Sequence, residues 1–68
     1  MQKRKQRTQH INKGIIVRAI DVIGGINNLA EEIGVTDRQI RYYIQNEAAP
    51  KTACFAIQYI EKHGNLSI

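Results

Sequence analysis

The chain has no tryptophan, one cysteine and one proline, and its only aromatics are three tyrosines and one phenylalanine in 68 residues. A single cysteine cannot close an intrachain disulfide. That excludes a disulfide-stapled secreted scaffold and fits the reducing cytoplasm. No apolar run approaches the ~18 residues of a membrane span. Ile15-Ile16-Val17 is broken at once by Arg18, so the basic start does not run into the apolar core of a signal peptide. No membrane partner is expected.

Acidic residues are also missing where they would matter most. Residues 1–13 contain Lys3, Arg4, Lys5, Arg7 and Lys13 and no acid, whereas the remaining residues carry five bases and six acids. The net charge of +4 therefore sits entirely in the amino-terminal arm. Such asymmetry points to an acidic partner for the arm, nucleic acid above all.

Enzyme chemistry finds little to work with. No nucleophile pairs with a base, and Gly24-Gly25 is a turn, not a phosphate-binding loop. His10 and His63 are far apart with no second cysteine, so no zinc site is expected. Cys54 beside alanines reads as a small core residue. No cofactor, metal or small-molecule substrate is expected.

What is present is a 43% hydrophobic content arranged with helical period, enough for one small globular domain. Residues 1–11 show no apolar periodicity and read, with the two that follow, as a mobile basic arm over 1–13. Asn12 or Gly14 opens the ordered part. Ile16, Ala19, Ile20 and Ile23, widened by Val17, predict a first helix over 13–23. Gly24-Gly25 ends it with a tight turn. Ile26, Leu29, Ala30 and Ile33 predict a second helix over 26–33 with Asn27, Glu31 and Glu32 outward. Gly34 sits where a left-handed residue closes a helix.

A third helix is predicted over 37–46. Thr36 is its N-cap, and Gln39 three residues later completes a capping box. Ile40, Tyr43 and Ile44 share its inner face. Arg38, Arg41, Tyr42 and Gln45 fall within about 100° on the other side. Pro50 suits the first turn of a fourth helix over 50–63, with Ala53, Ala56, Ile57 and Ile60 inward, Phe55 and Tyr59 on its flanks, and Gly64 as cap. Leu66 and Ile68 form an apolar tail over 65–68.

With these residues in place the chain resembles the Cro/repressor-type helix-turn-helix proteins of phages, and especially the small YdaS-like Cro analogues. The resemblance rests on Ala19-Ile20 before Gly24-Gly25, then Leu29-Ala30, Gly34-Val35-Thr36, the buried Ile40, Tyr43 where that family usually has tryptophan, and Pro50 before a final helix. It covers residues 14–64, about three quarters of the chain. The chain departs from it at Asn46-Glu47-Ala48-Ala49, where relatives often carry glycine and arginine, and in the acidic Glu31 and Glu32.

The resemblance implies an all-α, four-helix domain of the lambda-repressor-like type, binding a double-stranded DNA operator. It places the helix over 36–46 in the major groove. Arg38 and Arg41 are then candidates for bidentate contact with guanine, against the blander reading of a solvated helix face. Tyr42 is expected at a phosphate or a thymine methyl, or else folded over the third and fourth helices. Gln39 and Gln45 suit adenine or phosphate, with Gln39 and Thr36 also claimed by the cap. Asp37 either interacts with the helix dipole or accepts from cytosine. The backbone N–H groups of Gly25, Ile26 and Asn27, with the Asn27 side chain, face a phosphate in this scheme. Lys51 suits a flanking phosphate, and Arg4 or Arg7 a narrow minor groove.

A Cro-like repressor acting as a homodimer on half-sites about 34 Å apart is the expected form. The fourth helix and the Leu66–Ile68 tail are the candidate dimer contact. Two alternatives stand beside it: a protein-interaction module, and an architectural or packaging DNA-binding protein with little sequence preference.

Overall fold

Asn12 organises the start of the first helix. Its side chain accepts a hydrogen bond from the Gly14 N–H at 2.8 Å, and helix α1 runs Lys13–Ile23. The computed structural model describes residues 8–64. Among them are four helices and one small sheet: β1 Thr8–His10, α1, α2 Ile26–Ile33, α3 Asp37–Asn46, β2 Ala48–Pro50 and α4 Lys51–His63.

Glycine sets the corners between the first three helices. Gly24 and Gly25 have φ of 96° and 135°, and both donate N–H groups to the Ile20 carbonyl, closing α1 in the left-handed manner. Gly34, at φ 80°, closes α2 onto the Ala30 carbonyl, and the Val35 N–H joins it there. Asn28 braces the first corner by donating from its side chain to the Ile23 carbonyl at 3.1 Å.

The core contains no buried polar or charged side chain among the described residues. Ile16 and Ala19 of α1, Leu29 and Ala30 of α2, Ile40 and Tyr43 of α3, and Ala53, Cys54, Ile57 and Ile60 of α4 meet there. The small Ala19, Ala30 and Ala53 let the helices approach closely, and α1 packs most extensively on α4. Val17 is a correction to the expected stripe. It is 51% exposed, because Ile20 and Ile23 already complete the side of α1 that the other helices cover.

The domain is not purely helical, and the arm over 1–13 is not uniformly without structure. Thr8, Gln9 and His10 pair antiparallel with Pro50, Ala49 and Ala48. Ile11 follows at 1% exposure, inside the core. Residues 8–13 thus belong to the folded domain. Burying one isoleucine supplies about 1.5–3 kcal/mol, enough to hold a short ribbon to the helices. Pro50 lies at the end of β2 and precedes α4 instead of starting it, a difference of one residue at a terminus.

Glu47 joins the ribbon to the helices. It closes α3 with φ 50° and ψ 43°, the one left-handed residue among the described residues that is not glycine. Its carbonyl accepts the Ile11 N–H at 3.0 Å, and its carboxylate accepts the Lys13 N–H at 3.2 Å, at the amino end of α1. Replacing Glu47 by alanine keeps the left-handed strain and removes the carboxylate. Replacing it by glycine removes both. Urea unfolding should therefore rank Glu47→Gly above Glu47→Ala by about 1 kcal/mol. The reverse order would mean that the left-handed conformation is not retained in solution.

Candidate nucleic-acid interface

Helix α3 owes its position to its two ends and its inner face. At its start Thr36 and Gln39 form a reciprocal cap. The Gln39 N–H donates to Thr36 Oγ1 at 3.1 Å, and the Thr36 N–H donates to Gln39 Oε1 at 3.0 Å. Ile40 is fully buried and Tyr43 nearly so, which fixes the rotation of the helix about its axis. Burial pushes the Tyr43 hydroxyl above the ordinary phenol range, with the Cys54 thiol adding to the effect.

With that rotation fixed, Arg38, Arg41, Tyr42 and Gln45 all stand exposed on the outer side, where with Gln39 they line one shallow depression. Tyr42 is 63% exposed, so it does not cover the junction of α3 and α4. Its carbonyl accepts from the Asn46 side chain at 2.9 Å. Asp37 lies one turn before Arg41, with 4.0 Å between their charged atoms. An exposed pair at that separation contributes about 0–1 kcal/mol, so the Arg41 guanidinium stays available to a stronger acceptor. Asp37 also lies in the first turn of α3, where its charge interacts favourably with the helix dipole.

Thr36 and Gln39 are thus engaged in the cap, which leaves Gln45 as the glutamine with an open side chain on this face. The expected phosphate cradle at the start of α2 needs one correction. The Gly25 N–H is already bound to the Ile20 carbonyl at 2.8 Å, so it is not offered outward. Gly25 makes no side-chain cap, so Ile26 and Asn27 remain the candidate donors, and the Asn27 side chain is exposed. Lys51 opens α4, and its ammonium lies 5.9 Å from the centre of the Phe55 ring. Arg4, Arg7 and Leu66–Ile68 lie outside the described residues.

One contributor escapes sequence reasoning. Thr8 shares a second depression with Gln39, Tyr42 and Asn46, next to the outer face of α3. The ribbon therefore places Thr8, the first of the described residues, beside that face. No local pattern announces this, because Thr8, Gln9 and His10 are all exposed and lack apolar alternation.

Behind the ribbon, the Cys54 thiol donates to the Ala49 carbonyl at 3.4 Å and to the Gln9 carbonyl at 3.7 Å. Burial pushes the thiol above its ordinary range. The fold thus favours the protonated forms of Cys54 and Tyr43. That stabilisation is complete below the unfolded values, about 8.5 for a thiol and about 10 for a phenol, and is lost as pH rises through the folded values. Thermal melts should be level between about pH 7 and 8 and fall in the alkaline range, with Cys54→Ala removing part of the fall. A midpoint that stays level well above about pH 10 would contradict it.

Among the described residues no three His, Cys, Asp or Glu side chains cluster as metal ligands, and no helix is long and apolar enough to cross a membrane. Comparison with protein-family models, curated proteins and solved structures finds none that matches this chain.

Proposed function

We propose that this chain is a sequence-specific, double-stranded DNA-binding transcriptional regulator of the Cro type. In this reading α2 and α3 act as a helix-turn-helix, and α3 lies in the major groove. The observation that carries it is the outer face of α3. Arg38, Arg41, Tyr42 and Gln45 are exposed together on a helix whose inner face is locked by Ile40 and Tyr43. An arginine on such a face suits the paired acceptors of guanine. The free N–H groups at the start of α2 suit a phosphate.

The arm supplies the non-specific attraction, since residues from 14 onward are net acidic by one charge. It enters the fold at Thr8, beside Tyr42 and Asn46, so it engages the same duplex as α3. A domain of this size makes few contacts, and a homodimer on two half-sites about 34 Å apart supplies the missing specificity. The lone buried thiol suits a reducing compartment such as the cytoplasm.

Fluorescence anisotropy with a labelled duplex across a salt series tests the reading. If four arm charges neutralise phosphates, a fourfold rise in salt weakens binding by about 150-fold. Absence of duplex binding at low salt would overturn it. Binding that is no tighter to any selected sequence than to random duplex would favour an architectural or packaging role instead.

A further inference from the structure

Helix α4 leaves a second surface uncovered. Phe55 and Tyr59 are 59% and 40% exposed, although a fully buried phenylalanine is worth about 1.5–3 kcal/mol. They are four residues apart and therefore stand on consecutive turns of one side. Lys51 lies over the Phe55 ring at one end, and His63 stacks on Tyr59 at 4.3 Å at the other. Phe55, Gln58, Tyr59, Lys62 and His63 line a shallow depression that shares no residue with the one on α3. The ridge from residue 51 to 63 is about 18 Å long at 1.5 Å per residue.

We propose that this ridge docks an acidic segment of another protein, a helix or peptide of about twelve residues that lays an apolar side chain between Phe55 and Tyr59. Charge decides the occupant. The only acid of α4 is Glu61, and its carboxylate is paired with Arg18 of α1 at 3.2 Å. The ridge itself offers Lys51 and Lys62 and no acid. A second copy of the chain is therefore a poor occupant. An antiparallel pairing of ridges sets Lys51 against Lys62 and His63, and a parallel one sets Lys51 against its own copy. A head-to-tail contact with the acidic Glu31 side of another copy would be heterologous and give a ring or a filament, not a two-fold dimer. A carboxylate-rich segment meets both lysines at the rim and covers the rings at the centre, where aromatic side chains contribute most to binding.

The test pans the full chain against displayed random peptides of about twelve residues. Enriched peptides should be net acidic and carry an aromatic or branched apolar residue. Binding of the strongest one, made synthetically, should weaken about tenfold or more in Phe55→Ser and in Lys62→Glu. Duplex DNA affinity should be unchanged in Phe55→Ser, which also reports that the variant is folded. No enrichment, enrichment of neutral or basic peptides, or affinity indifferent to both substitutions would overturn the proposal. Loss of duplex affinity in Phe55→Ser with an unchanged urea melt would assign the ridge to nucleic acid. Loss of a sedimenting dimer in the same variant would assign it to a second copy. Either result also overturns it.

Discussion

Replacing Arg38 and Arg41 together by alanine is expected to abolish preference for the operator while leaving the domain folded. A good bidentate contact with guanine contributes about 1–3 kcal/mol of discrimination, so the pair accounts for about 30-fold at the low end and about 20,000-fold at the high end. Both side chains are exposed, and Arg41 has only a 4.0 Å approach to Asp37 to lose. The thermal midpoint should therefore move little, by the equivalent of about 0.5 kcal/mol or less. The arm keeps its charge in this variant, so weak, salt-sensitive binding to random duplex should persist. Anisotropy with selected and random duplexes separates the two components. Equal affinity of the variant and the parent for the selected duplex would remove α3 from the interface.

The second large effect is expected at Ile11. Its side chain is 1% exposed, and its N–H is bound to the Glu47 carbonyl. Ile11→Ala deletes buried carbons and leaves a cavity in the core, at a cost of about 2–5 kcal/mol. A domain this small has little reserve, so the variant should be partly unfolded at 37 °C. The nearby change Gln9→Ala provides the contrast. Gln9 is exposed and pairs through its backbone, so its replacement should cost about 0.5 kcal/mol or less. Urea melts of the two variants check this. Similar stability of both would mean that the ribbon is not part of the cooperative unit.

These two expectations also separate what the sequence reveals from what it hides. Helices over 13–23, 26–33 and 37–46 are legible because each carries its own punctuation. Gly24-Gly25, Gly34 and the Thr36–Gln39 box act locally, and local signals survive in a linear reading. The ribbon is different. Ala48 and Ala49 are poor strand formers, and Thr8, Gln9 and His10 have no buried alternation. Their pairing depends on contacts about forty residues apart in the chain, on the Ile11 anchor and on Glu47. A left-handed glutamate has no sequence signature, because ordinarily glycine or asparagine holds that conformation.

The outer face of α3 was legible for the same reason as its cap. Once Ile40 and Tyr43 are assigned inward, the geometry of the helix fixes where Arg38, Arg41, Tyr42 and Gln45 stand. The engagement of the Gly25 N–H was not, because the second hydrogen bond to Ile20 depends on how the turn closes. Nor was the nearness of Thr8 to Tyr42, which follows from the ribbon. That nearness changes the role of the arm. Residues 8–13 of it are folded onto the domain, with Thr8 at the edge of the surface assigned to DNA.

The central claim is that this surface reads sequence. Selection of bound sites from random duplex DNA by the full chain tests it most directly. Enrichment of a palindrome is expected, with guanine in each half-site and half-site centres about 34 Å, one helical turn, apart. Retention of random duplexes without enrichment, at concentrations where the chain binds DNA, would contradict it.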